Sequence, residues 1–155
     1  ATRVHALRLL SRWERLTPEV VGPALADPAA EVRETALLVG ERWMHEPSWR
    51  TRVLAQTQDE SARVRFQAVL SLALAPVDAE LAERLVEVAR RDADDPWLRD
   101  AVITTARELA APLLGRLLAD AEDQPISLGV VALARELSAL AAAPHSDPLR
   151  SSAVW

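Results

Sequence analysis

The chain has 155 residues, half of them hydrophobic, and its 18 basic residues, all arginine, are outnumbered by 23 acidic ones for a net charge of −5. The absence of cysteine excludes disulfides, thiol catalysis and cysteine-based zinc sites. The acidic balance disfavours a broad nucleic-acid partner, which needs a basic footprint, and no apolar run approaches the roughly 18 residues of a membrane span.

Alanine and leucine dominate, tyrosine is missing, and Phe66 is the one phenylalanine. Such a composition predicts helices throughout. Lysine, asparagine and tyrosine, whose codons are AT-rich, are missing together, which reads as a GC-rich genome rather than selection for arginine chemistry. In chain order, a helical pattern opens at Arg3-Val4-His5-Ala6-Leu7. These residues show no signal-peptide pattern and already lie within a helix, which leads us to expect a piece of a longer protein. Pro18 to Ala26 carries Val20, Val21 and Leu25, and Val32, Ala36, Val39 and Trp43 then form one helical stripe with Thr35 beside it. Trp49 to Thr57 carries Trp49, Val53 and Leu54. Leu81, Leu85 and Val88 stand at i, i+4 and i+7. Leu98, Ala101, Val102, Thr105 and Leu109 repeat the stripe, Leu113, Leu114, Leu117 and Leu118 mark a further helix, and Leu128 to Ala142 is the last. Between them stand Thr17-Pro18, Asp27-Pro28, Glu46-Pro47, Pro76, Asp95-Pro96 and Gln124-Pro125; an Asp or Thr before Pro suits an N-cap followed by the first helical residue. Residues 1–143 read as one domain and 144–155 as a tail or linker.

Segments opening at Asp27, Asp59 and Asp95 align with one another, and the arginines of the series are Arg3, Arg33, Arg65 and Arg99. Their spacing, a little over thirty residues, is the period of stacked helix pairs. Each helix stripe is too small for a core of its own, so neighbouring pairs must stack to bury it. The order is one helix followed by four pairs, the fourth the most divergent.

These residues resemble HEAT repeats, which place an Asp in the turn before the second helix of a pair and an Arg six residues later. Asp27 with Arg33 and Asp59 with Arg65 fit this pattern, whereas Asp95 and Arg99 are only four apart. The resemblance implies an all-α, right-handed superhelix of about four pairs, with an Arg–Asp ladder formed by Asp27, Arg33, Asp59, Arg65, Asp95 and Arg99. A planar, five-donor guanidinium is the side chain best able to satisfy a partly buried carboxylate. Over about residues 2–140 the chain is also similar to the HEAT segment of large bacterial membrane-bound dehydrogenases, where a β-propeller precedes and a c-type haem module follows. Neither occurs here, so this likeness implies a neighbourhood and no activity of this chain. It would make the parent protein periplasmic or exported; without it the chain would be cytoplasmic.

Candidate chemistry is thin. His5, His45 and His145 never stand at i, i+3 or i+4, so no metal site is expected. Trp13 and Trp43 share one repeat position, which predicts packing; Trp97, in the first turn of its helix, is the best candidate for exposure. The acidic runs at 91–95 and 120–123 lack the ligand series of a calcium loop and read as turns. No Ser or Thr has a neighbouring His–Asp constellation, and no phosphate-binding loop occurs. The expectation is a non-catalytic, cofactor-free scaffold that binds a protein or neighbouring domains of its own polypeptide. In HEAT arrays the second helix of each pair lines the concave side, which nominates Glu34, Glu41, Arg63, Gln67, Trp97, Asp100, Thr104 and Arg107. The rival is an enzyme on such a scaffold, an alkylpurine DNA glycosylase or a cofactor lyase; a glycosylase would need a basic groove beside its tryptophans.

Overall fold

The computed structural model describes residues 2–119 and 126–143, and every regular element among them is helical. The helices are α1 (Thr2–Arg12), α2 (Pro18–Val21, continued by a 3-10 turn at Gly22–Ala26), α3 (Ala30–Gly40), α4 (Pro47–Gln56), α5 (Ala62–Leu72), α6 (Ala79–Asp92), α7 (Pro96–Thr105), α8 (Ala110–Ala119) and α9 (Leu128–Ala142). The tail at 144–155 and the breaker Gln124-Pro125 lie outside the described residues.

Local chemistry sets the ends. Asp78 accepts the Leu81 N–H at the start of α6, Asp95 those of Trp97 and Leu98 at the start of α7, and Ser127 that of Val130 at the start of α9. Pro47 and Pro96 occupy the first helical position, where a missing N–H costs nothing. Asp27-Pro28 behaves otherwise: α3 starts at Ala30, and Asp27 holds the turn ahead of it by accepting the Ala29 N–H at 2.8 Å.

The odd-numbered helices touch in succession, α1 on α3, α3 on α5, α5 on α7 and α7 on α9, and the even-numbered ones back them. The core runs between the two rows. Leu37, Val64, Ala68, Leu72, Leu85, Leu98, Leu113, Leu133 and Leu137 are all essentially inaccessible. Each fully buried leucine contributes about 1.5–3 kcal/mol of transfer free energy, so the stripes secure the helices only by meeting one another. Trp49 is wholly buried against Gly40. A Cβ at Gly40 would overlap the indole ring, so glycine is what lets α4 close on the end of α3. Trp43 meets Trp49 edge to face, with ring centroids 5.2 Å apart. Trp13 differs from the packed position expected for it and is 65% exposed. Six residues beyond Trp43 stands Trp49, but six beyond Trp13 stands Glu19, so the first copy lacks the partner ring.

Candidate functional site

Two surfaces need separating: the line of turns that carries the arginine series, and the outward face of the odd-numbered helices. On the first, Arg33 donates from Nε and Nη2 to the two carboxylate oxygens of Asp59, at 2.7 and 2.8 Å, and from Nη1 to the backbone carbonyl of Asp27 at 2.7 Å. The arginine thus grips the turn of its own pair and the aspartate of the next. Arg65 repeats the arrangement, with Nη1 on the Asp59 carbonyl at 2.9 Å and Nε and Nη2 on Asp92 at 3.0 and 2.6 Å. Arg3 reaches Asp27 at 2.8 Å from an exposed position. Arg33 and Asp59 are both more than nine-tenths buried, and bonding to Asp59 holds the Arg33 guanidinium above its ordinary pKa.

The third copy corrects the expected ladder. Arg65 pairs with Asp92 rather than with Asp95, and Asp95 and Arg99 do not pair with each other. Aligned on the arginines, the position six residues before Arg99 is Ala93, whose carbonyl accepts Arg99 Nη1 at 2.9 Å. Asp95 aligns with Ala29 and Ser61 and serves as helix cap. The ladder carboxylate has moved one residue back to Asp92, the last residue of α6, where it also accepts from Arg91 Nε at 2.9 Å. Arg91 in turn donates to the Thr57 carbonyl at 2.6 Å. Arg3, Asp27, Arg33, Asp59, Arg65, Asp92 and Arg91 therefore form one hydrogen-bonded line across the turns. Sequence reasoning missed Asp92 and Arg91. The interval from Arg33 to Asp59 was the available signal, since the same step of 26 residues from Arg65 lands on Arg91, next to Asp92.

No family model, curated protein or solved structure matches the chain. The second surface is the outward face of α3, α5 and α7. Of the residues nominated for it, Glu34 accepts from Arg63 at 2.6 Å between α3 and α5, a pairing that raises the Arg63 pKa. Glu41 Oε1, in the 3-10 turn that follows α3, accepts from Gln67 Nε2 and from the buried Ser71 hydroxyl, each at 3.0 Å, so these residues form a polar seam joining the end of α3 to α5. The Thr105 hydroxyl donates to the Val69 carbonyl at 2.9 Å, the corresponding stitch from α7 to α5. Thr104 donates to the carbonyl of Asp100 in its own helix. Asp100, Thr104 and Arg107 are exposed, and Trp97 is 72% exposed. Glu41 and Gln67 are thus committed to holding the helices together, while Trp97, Asp100, Thr104 and Arg107 remain open to solvent.

Among the described residues no group of three or more His, Asp or Glu stands where it could hold a metal ion. The described carboxylates of the 91–95 run are engaged separately: Asp92 with two arginines, Asp94 with the Gly129 N–H at 2.8 Å, and Asp95 with the start of α7. The 120–123 run lies outside the described residues. No described helix is long and apolar enough to cross a membrane.

Proposed function

We propose that the chain is a HEAT-type solenoid that acts as a non-catalytic scaffold, binding a protein or a neighbouring domain on the outward face of its odd-numbered helices. The observation that carries the reading is the recurring arginine. Three times an arginine at the start of an odd-numbered helix reaches the aspartate of the following pair, at nearly the same sequence interval. A device that fixes each pair against the next is what a stack of repeats requires, and the successive contacts of the odd-numbered helices support it. The residues held by the seam leave a rigid platform from which Trp97, Asp100, Thr104 and Arg107 project, and rigidity limits the ordering cost of binding.

Site-specific photo-crosslinking in a cell that expresses the chain tests the reading. A photoreactive residue at Thr104 on α7 or Ala62 on α5 should yield discrete adducts, whereas the same group at Glu83 or Glu87 on α6 should yield none. Adducts confined to α6, or no adduct from either row, would reject the platform.

A further inference from the structure

Trp97 is the most exposed aromatic side chain among the described residues. It stands in the first turn of α7 beside a groove of about 340 Å3 between the starts of α5 and α7, walled by Ala62, Arg63, Phe66, Asp95, Trp97 and Leu98. Among the described residues, the one cation in those walls, Arg63, is engaged by Glu34 at 2.6 Å. Trp43 has the guanidinium of Arg42 over its ring at 5.9 Å, but no described cation covers Trp97. The charged residues near Trp97 in the chain are Asp94, Asp95, Arg99 and Asp100; Asp94 accepts the Gly129 N–H and Arg99 reaches Glu136 at 3.8 Å, which leaves Asp95 and Asp100 without a described cation. Asp95 uses Oδ1 to cap α7, and its second oxygen has no described hydrogen-bond donor. Asp100 follows Trp97 by three residues, hence on the same face of α7, and its carboxylate is exposed and meets no described cation.

An aromatic platform, an apolar wall and two carboxylates without a cation together complement one kind of side chain, a flat cation on an aliphatic stem. We infer that this groove takes an arginine side chain from a basic segment of a partner protein. The guanidinium stacks on Trp97 and pairs with Asp95 and Asp100, and the stem lies against Phe66 and Leu98. The inference rests on the scaffold reading above and adds the chemistry of the partner. An anionic partner would meet like charge at the same place.

The probe is a fluorescein-labelled octapeptide with a single arginine among alanine and leucine, titrated into the full chain by fluorescence anisotropy. The same peptide with citrulline, which keeps the shape and loses the charge, is the comparison. The arginine peptide should bind saturably and the citrulline peptide about tenfold more weakly. Trp97→Ala should weaken binding by about tenfold, and Asp100→Asn should weaken it several-fold and reduce its salt dependence. Glu83→Gln, on the other row, should change nothing. Because Trp97 is exposed, its alanine variant should melt as wild type does; if it does not, Asp100→Asn and the citrulline comparison decide. Absence of saturable binding, equal binding of the two peptides, or indifference to both substitutions overturns the assignment. Those outcomes leave the scaffold reading standing, since it is decided by where the cross-links form.

Discussion

Arg33 shows how one side chain acts beyond its own helix. It is 6% exposed, and its guanidinium bonds to one carbonyl and both oxygens of one carboxylate. Arg33→Ala strands Asp59 in a buried place and should destabilise the fold by about 1–3 kcal/mol, read from urea unfolding at neutral pH. Arg33→Lys should recover only part of this loss, because an ammonium cannot make the two parallel bonds; full recovery would show that charge alone matters. Gly40→Ala should cost about 1–3 kcal/mol by overpacking against Trp49, and a wild-type melt would show that the indole can retreat. Asp78 titrates with a definite sign. The Leu81 N–H and, more weakly, Arg50 hold its pKa below the ordinary 3.8. Its contribution to stability is therefore complete above about pH 4 and is lost as the pH falls through the lowered value. Asp78→Asn should flatten the fall in melting temperature between pH 4.5 and 2.5, and an unchanged slope would count against it. Arg33 moves the other way. Its raised pKa keeps its contribution constant until strongly alkaline pH.

At the scale of elements, the turn before α7 divides what the turns before α3 and α5 combine. Asp59 both receives Arg33 and holds the Ser61 N–H at 2.8 Å, and Asp27 likewise receives Arg3 and holds Ala29. Before α7, Asp92 receives the arginine and Asp95 caps the helix. Asp92→Ala leaves Arg65 and Arg91 facing an emptied buried site and should cost about 3 kcal/mol or more, whereas Asp95→Ala should cost about 1 kcal/mol, the value of a cap. Equal losses would reject the division. This is also where the sequence was hardest to read. The helix spans were legible from proline and from stripes such as Leu81, Leu85 and Val88, because breakers and periodicity act locally. The identities of Arg33 and Asp59 were legible too, but not whether the arginine reaches its own turn or the next; it does both. Asp92 was hidden because it belongs to the body of α6, one residue before its expected place. Gly129 gave no signal either. It is small because α9 begins against the Ala93 carbonyl, a contact that only the folded chain brings about.

At the scale of the molecule, the contacts run between neighbouring helices, along the row and across to the helices that back it, so stability should be graded along it. Leu137→Ala, at a fully buried position of α9, should cost about 2–5 kcal/mol. Hydrogen exchange should then quicken in α8 and α9 while α1 and α3 keep their protection. Uniform quickening would mean that the whole chain opens as one unit. Of the candidate surface, sequence alone could place Trp97, because Asp95-Pro96 puts it in a first turn, but it could not tell that Glu41 and Gln67 are tied to Ser71. That distinction depends on which side chains meet across helices. The divided turn before α7 has a consequence for how such a chain can change over generations. A single mutation at Asp59 forfeits two functions together, so that site is held in place by both. Asp92 and Asp95 are each held by one, and either can drift while the other is kept. Change is tolerated soonest where such a separation has occurred, which makes the neighbourhood of α7, with Trp97 upon it, the part of the chain freest to acquire a specificity of its own.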